Sequence, residues 1–511
     1  MVQCVVRRGG DVVLSAGILL CKLLAVELLE KRQQRIEEAA GVQKYHGLGV
    51  RGELLEREDF LKRAEAAGQR DESVRARFHG CFALAQVAGD DEFVGLRLEL
   101  RPPPRTLRGM LSLEEAQERI LAGIQLLKAE RVAVAAAAGR FLAEPILAPM
   151  DLPQFDNSAM DGYAVRAAEV TKAGPDSPVR LKLIGSTAAG EVFRGALQSG
   201  TCVRLFTGSA LPAGADAVVM QEDTRVDATR PGEVDVLDEV RPWENVRLRG
   251  EDVKRGAPVA GPGERIAATR AGLLAALGID SVMVRRQPVV GLLATGSELL
   301  EAGQPVQSGK IFESNRITLA PLLTRAGAVS RPFPLVRDSL EETRQALTRA
   351  FADCDAVVTT GGVSVGALDF VKSAFEQLGG VLDFWKVSIR PGKPFVFGRL
   401  GEKFLFGLPG NPVSAVVTFL VLVRPALLCW QGGERVEMPS HPGTLSEPLA
   451  NAGDRRHFMR VWTDEQGAVR PAGGQSSHLL GSLALSNGLV DVPPKTILAA
   501  GTSVRVLRIE E

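Results

Sequence analysis

Between residues 286 and 432, short apolar runs alternate with stretches of helical spacing, and this alternation constrains the fold more than any other feature of the chain. Apolar, β-branched runs joined through helices are typical of right-handed βαβ units around a parallel sheet. The predicted strands cover residues 289–294, 329–336, 356–359 and 384–389, with 395–397 and 404–406 pairing at an edge. The predicted helices follow Ser314, Leu340, Val371 and Pro412. We therefore predict an α/β domain over residues 286–432.

The turn after the third predicted strand is rich in glycine and reads TTGGVSVGALDF, residues 359–370. A turn of this kind between a strand and a helix exposes backbone N–H groups that bind phosphates and other oxyanions. Many α/β proteins use such a turn only to change direction, so the binding interpretation depends on its neighbours. That interpretation names Gly361, Gly362 and Ser364 for the anion, and Asp369 for a bridging metal ion.

Acidic residues follow the other strands of this domain. Glu298 comes after the first strand in ATGSE, and Asp338 comes after the second in VRDS. Because ligands of open α/β sheets bind outside the carboxyl ends of the strands, we expect both residues and Asp369 at one edge. A single carboxylate at a strand end is usually a helix cap. Three carboxylates beside an anion-binding turn predict a divalent metal bound together with a phosphate.

Three cations lie close together in the segment WKVSIRPGKP, at Lys386, Arg390 and Lys393. Strand alternation would place Lys386, Ser388 and Arg390 on one face, and the Pro-Gly turn would then present Lys393. A run of charges is also typical of a solvated surface, and that alternative stays open. Near the glycine-rich turn, however, these cations would hold a polyanion.

The rest of the chain divides into three further regions, which makes the predicted fold class multidomain α/β and β. Residues 1–109, charged and poor in aromatic residues, are predicted to be a partly disordered extension of unknown role, with Met110 as the natural first residue. A capping box at Ser112 and Glu115 opens a mixed α+β region at 111–285, with a strand-rich subdomain at about 151–244. Residues 433–511 are strand-like and punctuated by Gly and Pro, which predicts a small β-barrel.

Two polar loops stand out in the strand-rich subdomain. The first, LPQFDNSAMDGYAV at residues 152–165, contains Asp161, and the second begins at Thr207 after a short apolar run. Asp, Asn, Ser and Gly build turns through side-chain-to-backbone hydrogen bonds, so spacing alone favours tight turns here. Residues 221–223 and 249–252 are likewise predicted to be surface turns.

Composition excludes several classes of protein. Lys+Arg and Asp+Glu are balanced at 61 each, so no overall charge favours nucleic acid or an anionic membrane as a partner. The six cysteines include no CxxC pair and the five histidines no paired spacing, which argues against zinc sites and disulfides. This cysteine usage suits a reducing cytoplasm.

Five segments, taken in order, resemble the molybdopterin molybdenumtransferase family, which includes MoeA and the E domain of gephyrin. They are LPQFDNSAMDGYAV, TGSELLEAGQPVQSGKIFESN, TTGGVSVGALDFVK, FWKVSIRPGKP and GLPGNPVSA. The resemblance runs from about residue 110 to the end, and it implies a four-domain cytoplasmic homodimer whose α/β domain binds molybdopterin. The implied reaction converts adenylylated molybdopterin and molybdate into molybdenum cofactor and AMP, with Mg2+ as the cofactor.

The resemblance also implies roles for individual residues. The catalytic acids would be Asp161, Glu298, Asp338 and Asp369, of which the last three would bind the metal. Molybdate would be bound by Lys393, Ser414 and Arg455. The cleft would be lined by Thr207, Lys386 and Arg390, the last of which is a Lys in many relatives. The molybdopterin adenylyltransferase is a further expected partner.

Two alternative functions stay open, of which the first is another enzyme and the second belongs to a different class. The α/β domain alone is similar to the molybdopterin adenylyltransferase, which performs the preceding step, but the flanking regions argue for the later insertion step. Animal relatives also act as scaffolds, so a non-catalytic assembly platform is the second alternative. The presence of all four acids and of the cations argues against it.

Overall fold

The computed structural model describes residues 110–363 and 370–509, together with the backbone of four short strands before them. The chain divides into two compact units, Met1–Thr106 and Leu107–Glu511. In the first unit the strands form two antiparallel pairs, Val5–Arg8 with Asp11–Ser15 and Phe82–Gln86 with Phe93–Arg97. The predictions for Ser364 and Asp369, and the predicted disorder within residues 1–109, fall outside the described residues.

The α/β domain contains a six-stranded mixed sheet, which confirms the fold predicted from the alternating pattern. In spatial order its strands are Val329–Pro332, Val289–Ala294, Ala356–Thr360, Lys403–Leu408, Pro394–Leu400 and Val381–Lys386. The first four pair in parallel, and the last two are joined by antiparallel pairing. Every residue of Ala356–Thr360 is buried, as expected for a central parallel strand. The carboxyl ends of four strands therefore meet at one edge.

Three details of the predicted sheet are wrong. Lys403–Leu408 lies inside the sheet rather than at its edge, because it also pairs with Ala356–Thr360. The strand predicted over 329–336 ends at Pro332, where prolines interrupt the ladder of hydrogen bonds. The strand predicted over 384–389 is two strands, of which the second, Ile389–Arg390, pairs outside this sheet.

Helices follow all four predicted starting points, at Asn315–Arg325, Leu340–Asp353, Val371–Gln377 and Pro412–Thr418. The last continues through a π-helical turn, Phe419–Val423, into Arg424–Trp430. Within the described residues, this stretch of 19 residues is the one helix long and apolar enough to cross a membrane. Because 89% of its apolar window is buried inside the fold, it has the packing of a core helix.

The mixed region before the α/β domain begins at the predicted capping box. The Ser112 hydroxyl accepts a hydrogen bond from the Glu115 N–H at 3.1 Å, and the Glu115 carboxylate accepts one from the Ser112 N–H at 2.9 Å. This box starts the helix Leu113–Leu121. A second helix, Ala268–Ala276, packs with two strand pairs, Ala129–Ala133 with Ser281–Arg285 and Ile146–Leu147 with Pro258–Ala260.

The strand-rich subdomain has a six-stranded sheet of its own. Its strands, in spatial order, are Ala217–Met220, Gly162–Val165, Thr201–Leu205, Val179–Thr187, Glu233–Val236 and Thr224–Arg225. A separate pair, Asn157–Ser158 with Val246–Arg247, holds the loop that carries Asp161 against the 241–250 segment.

The last region is a closed five-stranded barrel, which confirms the predicted architecture. Its strands, in order around the barrel, are Arg456–Thr463, Ala468–Pro471, Ser440–Leu445, Ser503–Arg508 and Gly488–Val492, and the last pairs with the first. Leu449–Asn451 pairs with Thr496–Leu498 beside it, and a short helix spans Leu480–Ala484. Side chains such as Met459, Val461 and Val506 fill the interior.

One segment of the α/β domain, residues 386–390, connects this domain to the start of the second unit and to the barrel. Leu111, near the start of this unit, donates its N–H to the Lys386 carbonyl at 3.2 Å and accepts from the Ser388 N–H at 2.7 Å. The strand Ile389–Arg390 then pairs in parallel with the first barrel strand at Arg456 and His457. The basic segment is therefore positioned from both ends of the unit.

Candidate active site

The loops after the parallel strands come together at the carboxyl edge of the sheet. Thr295 donates its N–H to the Thr360 carbonyl at 3.0 Å, and Gly361 donates to the Leu408 carbonyl at 3.1 Å. The Asn315 side chain reaches the Gly410 carbonyl at 2.8 Å. The TGSE, glycine-rich and GLPGN loops are thus neighbours, as the sequence predicted.

The two glycines of the central loop leave no room for a side chain. Gly361 and Gly362 have φ angles of +84° and +65°, which residues with a Cβ rarely adopt. A Cβ on Gly361 would lie 2.5 Å from the Thr295 carbonyl oxygen, and one on Gly362 would lie 2.7 Å from Thr295 Oγ1. That hydroxyl is buried and has no hydrogen-bond partner among the described residues. The floor of the loop therefore holds an unsatisfied polar atom of the kind that a bound ligand or water satisfies.

The acidic loops are joined by a reciprocal pair of hydrogen bonds. Ser297 donates its N–H to Asp338 Oδ2 at 2.9 Å, and Asp338 donates its N–H to Ser297 Oγ at 2.9 Å. The next residue, Glu298, is exposed and folds its carboxylate over Gly296, where a Cβ would lie 2.7 Å from Glu298 Oε2. Two of the three predicted metal ligands consequently lie on adjoining loops.

The donor set of these loops fits a hard divalent cation, since Mg2+ takes carboxylate oxygens and keeps several waters. In residues 110–363 and 370–509, no group of three or more His, Cys, Asp or Glu side chains lies close enough to hold a metal. The third predicted ligand, Asp369, is outside the described residues. Glu298 and Asp338 are therefore the described residues that would hold the ion.

The basic segment does not present a single charged face, so that prediction is wrong. Val381–Lys386 ends before Ser388, and its pairing with Pro394–Leu400 contains two irregularities of register. The Lys386 ammonium lies 3.9 Å from the centre of the Trp385 ring. Arg390 and Lys393 are exposed on either side of the Pro-Gly turn. Two of the three predicted cations thus remain accessible to a ligand.

The barrel brings further polar groups to this region. Arg455 Nη1 donates to the Ile389 carbonyl at 2.9 Å, which places the predicted molybdate ligand beside the basic segment. Ser414, the other predicted ligand, is only 4% exposed in the first turn of the helix Pro412–Thr418. A more accessible hydroxyl lies next to this helix, since Asn411 Nδ2 donates to Ser477 Oγ at 3.0 Å.

The sequence analysis missed the loop that carries Ser477. This loop is held by Arg460, a fully buried residue whose Nε donates to Ser482 Oγ at 2.9 Å and whose Nη2 donates to the Ser476 carbonyl at 3.1 Å. The sequence feature that could have indicated this loop is the segment GGQSS, residues 473–477, in which two glycines and a glutamine are followed by two serines. Nothing in the spacing of this segment links it to the GLPGNP loop.

His457 lies inside the barrel beside these arginines. It is 2% exposed, and neither ring nitrogen has a hydrogen-bond partner among the described residues. Burial, and then the charges of Arg390, Arg460 and Arg455, lower the pKa of His457 to about 4. The imidazole is therefore neutral at physiological pH and adds no positive charge to that of the neighbouring arginines.

Asp161 and Thr207 form a second polar site in the strand-rich subdomain. Asp161 Oδ1 accepts hydrogen bonds from the Thr207 N–H at 2.7 Å and from the Thr207 hydroxyl at 2.8 Å. These two bonds, and then the charge of Arg204, lower the pKa of Asp161. Between described residues, no hydrogen bond or ion pair joins this subdomain to the α/β domain. The chain therefore brings Asp161 together with Thr207, but not with Glu298 and Asp338.

The turn at residues 249–252, predicted to be an ordinary surface turn, packs against the loop that carries Asp161. Arg249 donates its N–H to Asp156 Oδ1 at 2.7 Å, and its Nε lies 2.6 Å from Asp151 Oδ2. The Asp252 N–H donates to the Leu152 carbonyl at 3.1 Å. The turn therefore adjoins the loop that carries Asp161, a position that only the folded subdomain reveals.

Three family models match consecutive parts of the chain. The MoeA N-terminal region (domains I and II) matches residues 111–278, a probable molybdopterin binding domain matches 291–428, and the MoeA C-terminal region (domain IV) matches 442–509. With the α/β sheet, its glycine-rich loop and the terminal barrel, these matches define a multidomain protein of the MoeA class.

Individual relatives agree with this class. A molybdopterin molybdenumtransferase of Haemophilus influenzae is 40% identical over 384 residues, which is 74% of this chain and 93% of that protein. Molybdopterin molybdenumtransferase 2 of Mycobacterium tuberculosis is 37% identical over 78% of this chain and 99% of its own. The crystal structure of a molybdopterin biosynthesis MoeA protein from Pyrococcus horikoshii covers 78% of this chain and all of its own at 30% identity, with a TM-score of 0.66. The chain belongs to the molybdopterin molybdenumtransferase family.

Proposed function

We propose that this protein is a transferase that inserts molybdenum from molybdate into adenylylated molybdopterin and releases AMP. The observation that carries the proposal is the match of residues 111–278, 291–428 and 442–509 to three consecutive parts of this family. The adenylyltransferase and scaffold alternatives are not favoured, because relatives matched over most of their length are named molybdenumtransferases. The homodimer, the cytoplasmic location and the adenylyltransferase as a partner remain proposals that rest on the family resemblance.

The chemistry needs charge neutralisation rather than a nucleophile from the protein. Cleaving the adenylate breaks a phosphoric anhydride bond, and such reactions depend on positioning and on stabilising charge at the phosphate oxygens. The N–H group of Gly362 would bind the anion, whereas the N–H of Gly361 donates to the Leu408 carbonyl and holds the loop in place. Mg2+, held by Glu298 and Asp338 and by the predicted ligand Asp369, would supply positive charge at the anhydride.

The oxyanion would be bound at the junction of the α/β domain and the barrel. Lys393 is exposed beyond the Pro-Gly turn, and Arg455 is held against the same segment by the Ile389 carbonyl. Molybdate is a dianion, so two neighbouring cations supply charge-assisted hydrogen bonds to it. Ser414 would act from its buried position in the helix, whereas Ser477 offers a more accessible hydroxyl.

The deciding experiment supplies purified protein with two sets of substrates. AMP release and molybdenum cofactor formation from adenylylated molybdopterin, molybdate and Mg2+ are expected. Incubation with molybdopterin and ATP tests the adenylyltransferase alternative, and adenylylation there without insertion would contradict the proposal. Absence of turnover with either set would favour the scaffold.

The oxyanion assignment predicts a selective defect in Lys393→Ala. Loss of one charge-assisted contact, about 1.5–3 kcal/mol, should raise the half-saturating molybdate concentration roughly tenfold to a hundredfold. Binding of adenylylated molybdopterin should be retained. Lys182→Ala, which removes an exposed lysine from the other sheet, is the matched control. If the pterin substrate is lost while the dependence on molybdate is unchanged, Lys393 binds the substrate phosphate instead.

A further inference from the structure

Lys310 lies beside the acidic loops and has no part in the proposed chemistry so far. Its Nζ donates a hydrogen bond to the carbonyl oxygen of Ser297, the residue whose N–H is bonded to Asp338. The Ile311 N–H donates to the Glu298 carbonyl at 2.9 Å, and a short parallel strand pair, Leu299–Leu300 with Ile311–Phe312, fixes this register. An exposed ammonium is therefore held against the backbone between the two acids.

This contact leaves most of the binding capacity of the ammonium unused. A lysine has three N–H donors, and the Ser297 carbonyl takes one of them. In the described part of the chain, Lys310 has no ion pair with Glu298, Asp338 or any other carboxylate. Holding a long side chain in one conformation costs up to about 2 kcal/mol of entropy, so the arrangement is not the default for a surface lysine. Lys310 thus combines fixed position, uncompensated charge and free donors.

The opposite charges around this edge suit a substrate that carries both phosphate and metal. Lys393 and Arg390 are exposed cations that suit an anion, while Glu298 and Asp338 attract a cation. A lysine among acids weakens the binding of a divalent ion alone by repulsion. It strengthens the binding of a phosphate that bridges to that ion, because lysine binds phosphate as a point charge.

We propose that Lys310 is a further substrate-binding residue, whose ammonium contacts phosphate oxygens of the substrate beside the metal ion. The inference rests on the proposed function, because it assumes a divalent ion at Glu298 and Asp338. The substrate phosphate would thus contact Lys310, next to Glu298 and Asp338, in addition to the glycine loop. Repulsion by Lys310 would also weaken metal binding to the free protein. Metal and substrate phosphate would therefore bind together.

The test measures binding rather than turnover, with Mn2+ as the metal probe and inorganic pyrophosphate as the phosphate probe. In Lys310→Gln the half-saturating Mn2+ concentration without phosphate, followed by electron paramagnetic resonance, should fall about sevenfold, as expected for removing one charge at roughly 7 Å from a divalent ion in water. Pyrophosphate binding at saturating Mn2+ should weaken about fivefold to tenfold. Lys310→Arg should bind both probes nearly as the unchanged protein does. Lys172→Gln, which removes an exposed lysine elsewhere, should change neither.

Three results would overturn the inference, and they can be told apart. If Lys310→Gln binds both probes like the unchanged protein, Lys310 has no role at the site, although the proposed function stands. If Lys310→Gln binds Mn2+ more weakly and unfolds at a lower temperature, the lysine only supports the loop. If the unchanged protein binds no Mn2+ even in the presence of pyrophosphate, the metal part of the proposed function fails and this inference fails with it.

Discussion

Three charged side chains of the candidate site are held by neutral groups, mostly of the backbone, rather than by opposite charges. The contacts are Asp161 with Thr207, Asp338 with the Ser297 N–H and Lys310 with the Ser297 carbonyl. Arg455 differs, because it donates to the Ile389 carbonyl and also forms an ion pair with the exposed Asp454 at 3.7 Å. The structural pair of Arg456 and Asp491, by contrast, is a bidentate salt bridge. A neutral partner orients a charge without neutralising it. These side chains are therefore positioned and still able to bind a charged ligand.

His457 predicts how stability depends on pH. Its pKa is about 4 in the folded protein and about 6.5 when unfolded. Between these values the unfolded chain binds a proton that the folded protein does not, so the free energy of unfolding falls as pH is lowered. The contribution amounts to about 3 kcal/mol over the whole window. Replacing His457 by Leu, which has no ring nitrogens to leave unsatisfied, should remove this part of the slope.

The free energy of unfolding is measured with urea at pH 7.5 and at pH 5, because part of its decrease is already present at pH 5. His478 is exposed, and His478→Leu is the control that should keep the slope of the unchanged protein. An unchanged slope in His457→Leu would show that other groups cause the acid sensitivity.

Among the elements, the loops at the carboxyl edge differ in how much they tolerate a side chain. Gly361 has a φ of +84° and its added Cβ would meet the Thr295 carbonyl at 2.5 Å, whereas a Cβ on Gly410 would lie at an ordinary 3.6 Å from the Gly361 Cα. Gly361→Ala should therefore destabilise the protein by about 1–3 kcal/mol and weaken anion binding. Gly410→Ala, in the adjoining loop, should fold normally. Thermal unfolding of both variants compares them directly, and equal melting temperatures would contradict this account.

Elements were predictable from the sequence where a local pattern determines them. The run 289–294 is a buried strand as predicted, and Ser112 caps its helix, because apolar periodicity and capping act over a few residues. The break of the predicted strand 384–389 was not predictable. It results from pairing with Leu111 and with the barrel, both distant in sequence. Ser477 was missed for the same reason, since only the tertiary fold brings it to Asn411.

At the scale of the whole molecule, the residues matched by the family lie in one compact unit. The unit Leu107–Glu511 contains all of the matched range, 111–509. Deleting residues 1–109 should therefore leave the melting temperature and the insertion activity nearly unchanged. Differential scanning calorimetry and the AMP-release assay check this prediction. Loss of cooperative unfolding after the deletion would show that the extension contributes to the catalytic fold.

The junction at residues 386–390 has a consequence for how the protein is made. On the ribosome the chain emerges from its N-terminus, and domains generally fold as they appear. Leu111 is available early, but the barrel strand that pairs with Ile389–Arg390 is synthesised about 65 residues after them. The α/β sheet can form before then, yet the segment that presents Lys393 has only one of its two supports. Synthesis thus gives the nascent chain its glycine loop first, and a braced set of cations only after the barrel strand Arg456–Thr463 has been made.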